Sequence, residues 1–290
     1  MRTRPLLLAL TASLLFTPAA SALSEFGIEG MGMVSTRADE LRATISADGQ
    51  RIFWASNRDG GAGGWDLWQA TLQDKRWMDP QPLALNSAAD EVDPFLSSDG
   101  RWLYFASNRN GGRGGFDLYR APVAANGDIG APQPLDAAIN RRQDERAPAL
   151  ADDGRLLFSS NRNGGAGGWD LWVAAQDGDG FAAPTPLDGI NSNADEVDGS
   201  WLGGGRAVVF ARSNAQGGTQ VWVSQCRQQR WSEAALLSLS FNTAESQTRG
   251  ALIDANKPGE MVVSGSARAP RAGGLDLYRM KAPTVDSDCR

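Results

Sequence analysis

The sequence predicts an all-β protein, a β-propeller built from four-stranded antiparallel blades. Three observations carry the prediction: a segment of about 50 residues recurs, each copy holds short strand-like runs separated by turn residues, and no useful helical period follows residue 22. Four-stranded units repeated at about this length are typical of propellers. The best-kept segment, SNRDGGAGGWDLWQA at residues 56–70, recurs as SNRNGGRGGFDLYRA from Ser107 and as SNRNGGAGGWDLWVA from Ser160.

An acidic pair opens each copy and sets the number of blades. Successive pairs are 51, 54 and 51 residues apart, and a worn version, Ala244-Glu245, follows them. The four intact pairs are Asp39-Glu40, Asp90-Glu91, Asp144-Glu145 and Asp195-Glu196. The repeats therefore open near residues 39, 90, 144, 195 and 245. We expect five blades, with six as the alternative if one copy is too diverged to recognise.

The second copy shows how one blade is built. It reads DEVDPFLSSDG, RWLYFASNR, NGGRGG and FDLYRAPV, and a linker then ends in APQPLDAAIN. Asp99-Gly100 is a tight-turn dipeptide between two strand-like runs, and the glycines after Arg109 supply the next loop. Proline cannot donate a hydrogen bond to a neighbouring strand, so the run around PQPLDA is expected to be an exposed fourth strand.

The two ends of the repeat region predict how the ring closes. The fifth copy reaches GGLDLYRM at residues 273–280 and then ends in KAPTVDSDCR, without a good fourth strand. MGMVSTRADE, residues 31–40, aligns with LALNSAADE before the second copy. We expect this N-terminal segment to supply the missing fourth strand of the last blade, which removes an open sheet edge.

The first 22 residues have the features of a secretory signal peptide. Two arginines precede an apolar run, and the segment ends in Ala20-Ser21-Ala22, a small-x-small cleavage pattern. The run is too short to span a bilayer, so no membrane span is expected. Leu23 and Ser24 come next, so no lipid-bearing cysteine is indicated. The sequence thus predicts a periplasmic or secreted protein in which residues 23–290 form a single propeller.

Composition excludes several classes of function. Residues 1–22 hold two arginines and no acidic residue, so their removal shifts the formal net charge from −6 to −8. An acidic chain disfavours nucleic-acid and anionic-membrane partners, which require clustered lysine and arginine. The chain has no histidine, which excludes Ser-His-Asp and Cys-His catalysis and His-ligated zinc. Its two cysteines, Cys226 and Cys289, form either a structural disulfide or two unpaired thiols.

The repeat resembles the WD40-like propeller repeat of the TolB type, found in many exported bacterial proteins. The resemblance lies in the acidic pair, the Asp-Gly turn, the aromatic run, SNRxGGxGGxD and the Leu-Tyr or Leu-Trp that follows. It covers residues 31–280 and implies the fold, while propellers carry many unrelated functions. TolB itself has an additional N-terminal domain, which this chain is expected to lack.

An arginine and an aspartate eight residues apart recur in four copies and predict a structural ion pair at the base of a hairpin loop. The pairs are Arg58 with Asp66, Arg109 with Asp117, Arg162 with Asp170, and Arg268 with Asp276. Copy 4 reads ARSNAQGGTQVWV, which is two residues shorter, lacks the Ser-x-Arg of the other copies and has Gln220 in place of the aspartate. Both positions change together, so the two residues are expected to act as a unit. The alternatives are a calcium site, whose spacing is off by one, and sugar stacking by the neighbouring aromatics Trp65, Phe116 and Trp169.

The candidate binding site is one mouth of the central channel. When the first strand is innermost, the loops that lead into it share a face with the loops joining strands two and three. The candidate residues are Asp39, Glu40, Asp90, Glu91, Asp93, Asp144, Glu145, Asp195, Glu196, Asp198 and Glu245. Asp93 and Asp198 lie outside the repeat, which is where a specific site is expected. The alternative is that each acidic pair caps backbone NH groups or bonds the next blade.

Two functions fit these observations. The first is a non-enzymatic binding or scaffold propeller of the bacterial cell envelope, which engages a protein partner or an extracellular ligand at the channel mouth. The second is a glycan-binding or glycan-hydrolysing propeller, because glycoside hydrolysis needs only two carboxylates. We expect no catalytic residue, metal or cofactor, no nucleic-acid partner, and a monomer.

Overall fold

Regular structure in the computed structural model, which describes residues 25–289, consists of β-strands. The predicted signal peptide, residues 1–22, lies outside the described residues. No helix within residues 25–289 is long and apolar enough to cross a bilayer.

Within residues 25–289 the strands form five antiparallel sheets that are the blades of a propeller, and one separate two-stranded hairpin. Blade 1 contains Glu40–Ile45, Arg51–Ser56, Asp66–Gln73 and Arg76–Pro82. Blade 2 contains Glu91–Leu96, Trp102–Ser107, Asp117–Pro122 and Gln133–Pro134. Blade 3 contains Glu145–Leu150, Leu156–Ser160, Asp170–Ala174 and Thr185–Pro186, beside a small hairpin of Gln176–Asp177 and Gly180–Phe181.

Blades 4 and 5 depart from this plan at their outer edges. Blade 4 contains Glu196–Leu202, Ala207–Ser213 and Thr219–Arg227, and two short strands, Arg230–Trp231 and Ala235–Leu236, both pair with its third strand. Blade 5 contains Arg249–Ile253, Glu260–Gly265 and Asp276–Lys281, and its fourth strand is Glu25–Ile28.

The first strands of neighbouring blades contact one another in a closed ring around the channel. The core lies between blades because the aromatic runs of the second strands are buried there, and Phe53, Phe105, Phe158 and Phe210 are fully inaccessible. The fold class and the number of blades are therefore confirmed.

The N-terminal strand closes the ring as expected, but the segment named for it is wrong. Ile28 pairs with Tyr278 of blade 5, so the strand is Glu25–Ile28, whereas residues 31–36 contain no strand. The alignment with LALNSAADE, residues 83–91, explains the error, because that stretch is also a connection, which follows the outer strand of blade 1 and leads into blade 2. Closure needed residues upstream of the recognisable repeat.

A disulfide joins Cys226 to Cys289, with a Cα–Cα distance of 5.7 Å. Asp286 forms an ion pair with Arg227 at 2.9 Å, and the backbone NH of Gln228 donates to Asp288 at 2.7 Å. The C-terminal segment is thus fastened to the third strand of blade 4, and the cysteines have a structural role.

Candidate functional site

The recurring stretch at residues 56–70 joins strands two and three of blade 1, and its loop contacts the next blade. Asp66 accepts hydrogen bonds from the backbone NH groups of Ala62 (3.0 Å) and Gly63 (3.3 Å), so it caps its own loop. Gly63 touches the following blade so closely that a Cβ there would overlap the carbonyl oxygen of Ala89. The equivalent glycines of the other blades make the same approach, and they are Gly114, Gly167, Gly218 and Gly273. Glycine recurs because two backbones meet at this point.

The predicted pairing of each arginine with the following aspartate is wrong. Arg58 Nη2 lies 3.0 Å from Oε1 of Glu40, the second acid of its own blade. The equivalent pairs are Arg109 with Glu91 at 3.0 Å and Arg162 with Glu145 at 2.9 Å. The aspartates Asp66, Asp117, Asp170 and Asp276 instead cap loop NH groups, and Arg268 is exposed. The arginine turns toward strand one because a buried carboxylate lies there, whereas the aspartate accepts hydrogen bonds from its own loop.

Each arginine also fixes the loop that leads into its blade. Arg58 donates to the backbone carbonyls of Met33, at 2.7 Å, and Val34. Its guanidinium carbon lies 5.1 Å from the ring centroids of both Trp54 and Trp68, a cation–π arrangement. One side chain therefore holds three strands and the incoming loop together.

Blade 4 keeps this ion pair with an arginine at a different position. Strand register places Arg212 opposite Glu196, where blade 1 has Ser56 opposite Glu40. Arg212 Nε lies 2.6 Å from Glu196 Oε1. The expectation that blade 4 lacks a partnered arginine is therefore wrong, because the residue moved two positions along the chain.

Blade 5 lacks both members of the pair. The backbone NH of Thr248 donates to Thr219 as that of Glu40 does to Leu275, so Thr248 occupies the glutamate position. The same register places Ala267 at the arginine position. Glu245 lies three residues before Thr248 and is exposed, so its assignment to the acidic pair is wrong. Glutamate and arginine are thus kept or lost together, as expected of two residues that need each other.

The first acid of each pair bonds neighbouring blades. Asp90 Oδ1 accepts from the backbone NH of Trp65 in the preceding blade at 3.0 Å, and Asn108 donates to Oδ2 at 3.2 Å. The equivalent bonds run from Phe116 to Asp144, from Trp169 to Asp195 and from Leu275 to Asp39. The acidic pair therefore has the structural role given above as the alternative.

The second acids are inaccessible to solvent. In blade 3 this glutamate lacks a hydrogen bond that the glutamates of blades 1, 2 and 4 receive. Glu40, Glu91, Glu145 and Glu196 are each 0% exposed. Burial raises the pKa of Glu145 to about 7, against the opposing effect of Arg162. Blades 1, 2 and 4 place a hydroxyl against the glutamate, from Thr36, Ser87 and Ser192 respectively. Blade 3 has Arg141 there, which contributes only its backbone NH.

Arg141→Ser is expected to lower the pKa of Glu145 by restoring that hydroxyl. A raised folded-state pKa means that the folded protein binds the proton more tightly, so wild-type stability falls as pH rises from about 5 to about 8. The variant should lose less stability over that range, by about 1 kcal/mol for one hydrogen bond. Urea unfolding at both pH values measures this. Arg142→Ser removes the same charge from an exposed neighbour, and equal slopes for both variants contradict the explanation.

A bulge in each first strand creates a ring of five equivalent positions around the channel. The residues there share a positive φ, at Arg42 (45°), Asp93 (58°), Ala147 (53°), Asp198 (55°) and Gly250 (66°). Each follows the last residue paired before the shift in register between strands one and two. The backbone is common to the five blades, whereas the side chains differ.

Asp93 and Asp198 lie buried in this ring, at 2% and 3% exposure, not at an open mouth. Asp93 forms an ion pair with Arg146 of the next blade, at 3.0 Å. Asp198 pairs with Arg249 of the next blade, at 2.6 Å. Burial raises the pKa of Asp198, but the charges of Arg249 and its arginine neighbours outweigh it and hold the pKa at about 2. Both acids are joined to a neighbouring blade by an ion pair.

A pocket of about 220 Å³ opens beside these residues, on the face that carries the acidic pairs. We call it the mouth pocket; its lining includes Arg146, Ser159, Trp169, Asp198, Thr219 and Arg249. Of the predicted mouth acids, Asp195 and Asp198 line it. Thr219 occupies the position that holds Trp65, Phe116 and Trp169 in blades 1 to 3. A small residue therefore stands where three blades have an aromatic ring.

Sequence reasoning missed the arginines of this region: Arg42, Arg146 and Arg249. A signal was present, because the residue after the acidic pair is apolar in blades 1, 2 and 4 but is Arg146 in blade 3. Residues 25–289 contain no group of three or more acidic or cysteine side chains placed to hold a metal ion.

No protein-family model matches the sequence, and no curated protein is similar to it in sequence. Solved structures are similar in fold. TolB from Acinetobacter baumannii superposes with a TM-score of 0.50 at 12% identity, over 86% of this chain and 56% of that one. A protein assigned as TolB from Agrobacterium tumefaciens gives 0.53 at 15% identity, over 86% and 85%. The chain has the fold of a TolB-type propeller.

The solved structures that are similar in fold to this chain also include an enzyme. An α-L-arabinofuranosidase from Podospora anserina, in complex with cellotriose, gives a TM-score of 0.53 at 12% identity over 90% of this chain and 96% of that one. At such low sequence identities, the similarity to these structures shows a shared fold alone. The chain spans a little over half of the Acinetobacter protein, 56% of its length.

Proposed function

We propose that this chain is a non-catalytic binding propeller of the bacterial cell envelope, which engages a protein partner or an extracellular ligand at the channel mouth. The observation that supports it is that the repeated and the non-repeated charged residues have different roles. The repeated acids hold loops and blades, whereas a pocket forms where non-repeated residues meet. Exported TolB-type propellers share the fold, and a disulfide is consistent with an oxidising compartment.

The same contacts disfavour glycoside hydrolysis. That chemistry needs two carboxylates that reach the sugar, one of them protonated. Glu145 has the raised pKa of such an acid, but it is 0% exposed and bonded to Arg162. Asp198 is ionised and bonded to Arg249.

The proposal predicts that filling the mouth pocket removes partner binding. Thr219→Phe places in blade 4 the aromatic residue of blades 1 to 3, so the fold should tolerate it. Residues 23–290, as wild type and variant, are used to capture partners from envelope extract. Leu275→Phe is the matched control, because Leu275 occupies the same position in blade 5. A protein retained by wild type and control but not by Thr219→Phe is the expected result.

Glycans are screened on the same three proteins. A glycan cleaved by wild type makes the protein an enzyme and overturns the proposal. Capture that is unchanged in Thr219→Phe places the binding surface elsewhere on the propeller and contradicts the assignment to the mouth.

A further inference from the structure

The channel holds more positive than negative charge. Its bulge ring and the residues beside it contribute three arginines, Arg42, Arg146 and Arg249, and two aspartates, Asp93 and Asp198. Both aspartates are in ion pairs, so these five side chains carry a net charge of +1. The rest of the protein is acidic, so the excess is local to the channel.

Arg42 is the cation without a carboxylate in contact. It is 1% exposed and crosses the channel from blade 1, where its Nη2 donates to the carbonyls of Pro148 and Gly199, each at 3.1 Å. Carbonyl groups accept its hydrogen bonds but do not neutralise its charge. Burial lowers the pKa of Arg42, which marks the cost of holding the cation there.

Two more donors of Arg42 have no acceptor. Its Nε and Nη1 are buried and form no hydrogen bond with any of residues 25–289. A buried donor on a charged group that forms no hydrogen bond is destabilising, because nothing offsets its loss of contact with water. Water can accept from these atoms but leaves the charge in place, and an uncompensated buried charge is strongly destabilising. The side chain is therefore suited to an anionic acceptor.

The mouth pocket is joined to this position through Asp198 and Gly199, and it offers further donors. Asp198 lines the pocket and is acted on electrostatically by Arg42, and the following residue, Gly199, accepts its hydrogen bond. Ser159 accepts from the backbone NH of Asp198, which leaves its hydroxyl proton to donate. Arg146 and Arg249 flank the same space. The pocket is thus rich in donors and borders the positively charged part of the channel.

We propose that the channel binds a small carboxylate-type anion, which enters through the mouth pocket and balances Arg42. The ligand is either a free small anion or the carboxylate of a peptide end, since both present the same acceptor. The site does not depend on the identity of the envelope partner. A cation is disfavoured by the net charge of the five channel side chains.

Sodium acetate is the first probe, titrated into residues 23–290 by calorimetry at constant sodium concentration. We expect saturable binding that weakens at least tenfold in Arg42→Met and in Thr219→Phe. Arg120→Met, a partly buried arginine of blade 2 outside the channel, is the control and should bind as wild type does. N-acetylglycylglycine and its C-terminal amide follow; tighter binding of the free acid alone identifies a peptide carboxylate, and binding of acetate alone a small free anion.

Absence of saturable binding by acetate and by the free acid overturns the inference, as does binding that both variants retain. If Arg42→Met fails to fold, Thr219→Phe decides. Failure of the proposed function is distinguishable from failure of this inference. Capture of an envelope partner tests the former and calorimetry with acetate the latter, and each result is independent of the other.

Discussion

Arg109→Ala is expected to destabilise the protein by about 3–5 kcal/mol, the usual cost of removing one partner of a buried ion pair. The change leaves the fully buried Glu91 without its arginine partner, and it also removes the bond to the carbonyl of Leu85 and the stacking on Tyr119. Urea unfolding at neutral pH measures the loss. Arg113→Ala removes an exposed arginine four residues away and should change stability by less than about 0.5 kcal/mol.

Blade 5 suggests a second experiment, because it has Thr248 and Ala267 at the positions that hold glutamate and arginine in the other blades. Glu91→Thr combined with Arg109→Ala should therefore be less destabilising than the sum of the two single changes. A double-mutant cycle measures the difference, which is expected to exceed about 1 kcal/mol for residues in direct contact. Strict additivity would show that glutamate and arginine do not act together.

Gly114→Ala should be nearly as harmful, although it adds a single methyl group. A Cβ at this position overlaps the backbone carbonyl oxygen of Gln143 in the next blade, and a backbone cannot move aside as a flexible side chain does. Overpacking of this kind costs about 1–3 kcal/mol and sometimes more. Gly259→Ala is the matched control, because a Cβ there meets nothing. Equal melting temperatures for the two variants contradict the connector role of the recurring glycines.

Sequence self-comparison predicts the fold well because each blade is a local unit. Acidic pairs, Asp-Gly turns and aromatic runs return at a nearly constant interval, so strand order follows from one copy and blade number from the count of copies. The sequence predicted that an N-terminal strand closes the ring but placed this strand at the wrong residues, because Glu25–Ile28 has no resemblance to the repeat. An outer strand joins its sheet through backbone hydrogen bonds, which depend little on residue type. Its sequence therefore carries little sign of the pairing.

The partners of the repeated charges were harder to predict than their presence. Arg58 and Asp66 are eight residues apart, and proximity in sequence favoured a pair across one loop. The observed partner, Glu40, is 18 residues before the arginine and meets it only through the register of strands one and two. Comparing Arg212 with Arg58 shows that a side chain can move along a strand and keep its partner.

The channel was the least predictable region because its residues are not repeated. Arg42, Asp93 and Asp198 share a bulge that is invisible in any single copy, and their ion pairs join different blades. The sequence predicted an acidic mouth from counts of carboxylates. Burial and pairing remove most of that charge from the surface, and they leave a positive excess in the channel.

The most direct test of the account is to map where an envelope component touches the propeller. A photo-crosslinking residue, p-benzoylphenylalanine, is placed either at Thr219 in the mouth pocket or at Ser98 in the Asp-Gly turn of blade 2, on the opposite face. After irradiation with envelope extract, the account predicts a crosslinked product from position 219 and none from position 98. A product from position 98 alone would contradict binding at the mouth.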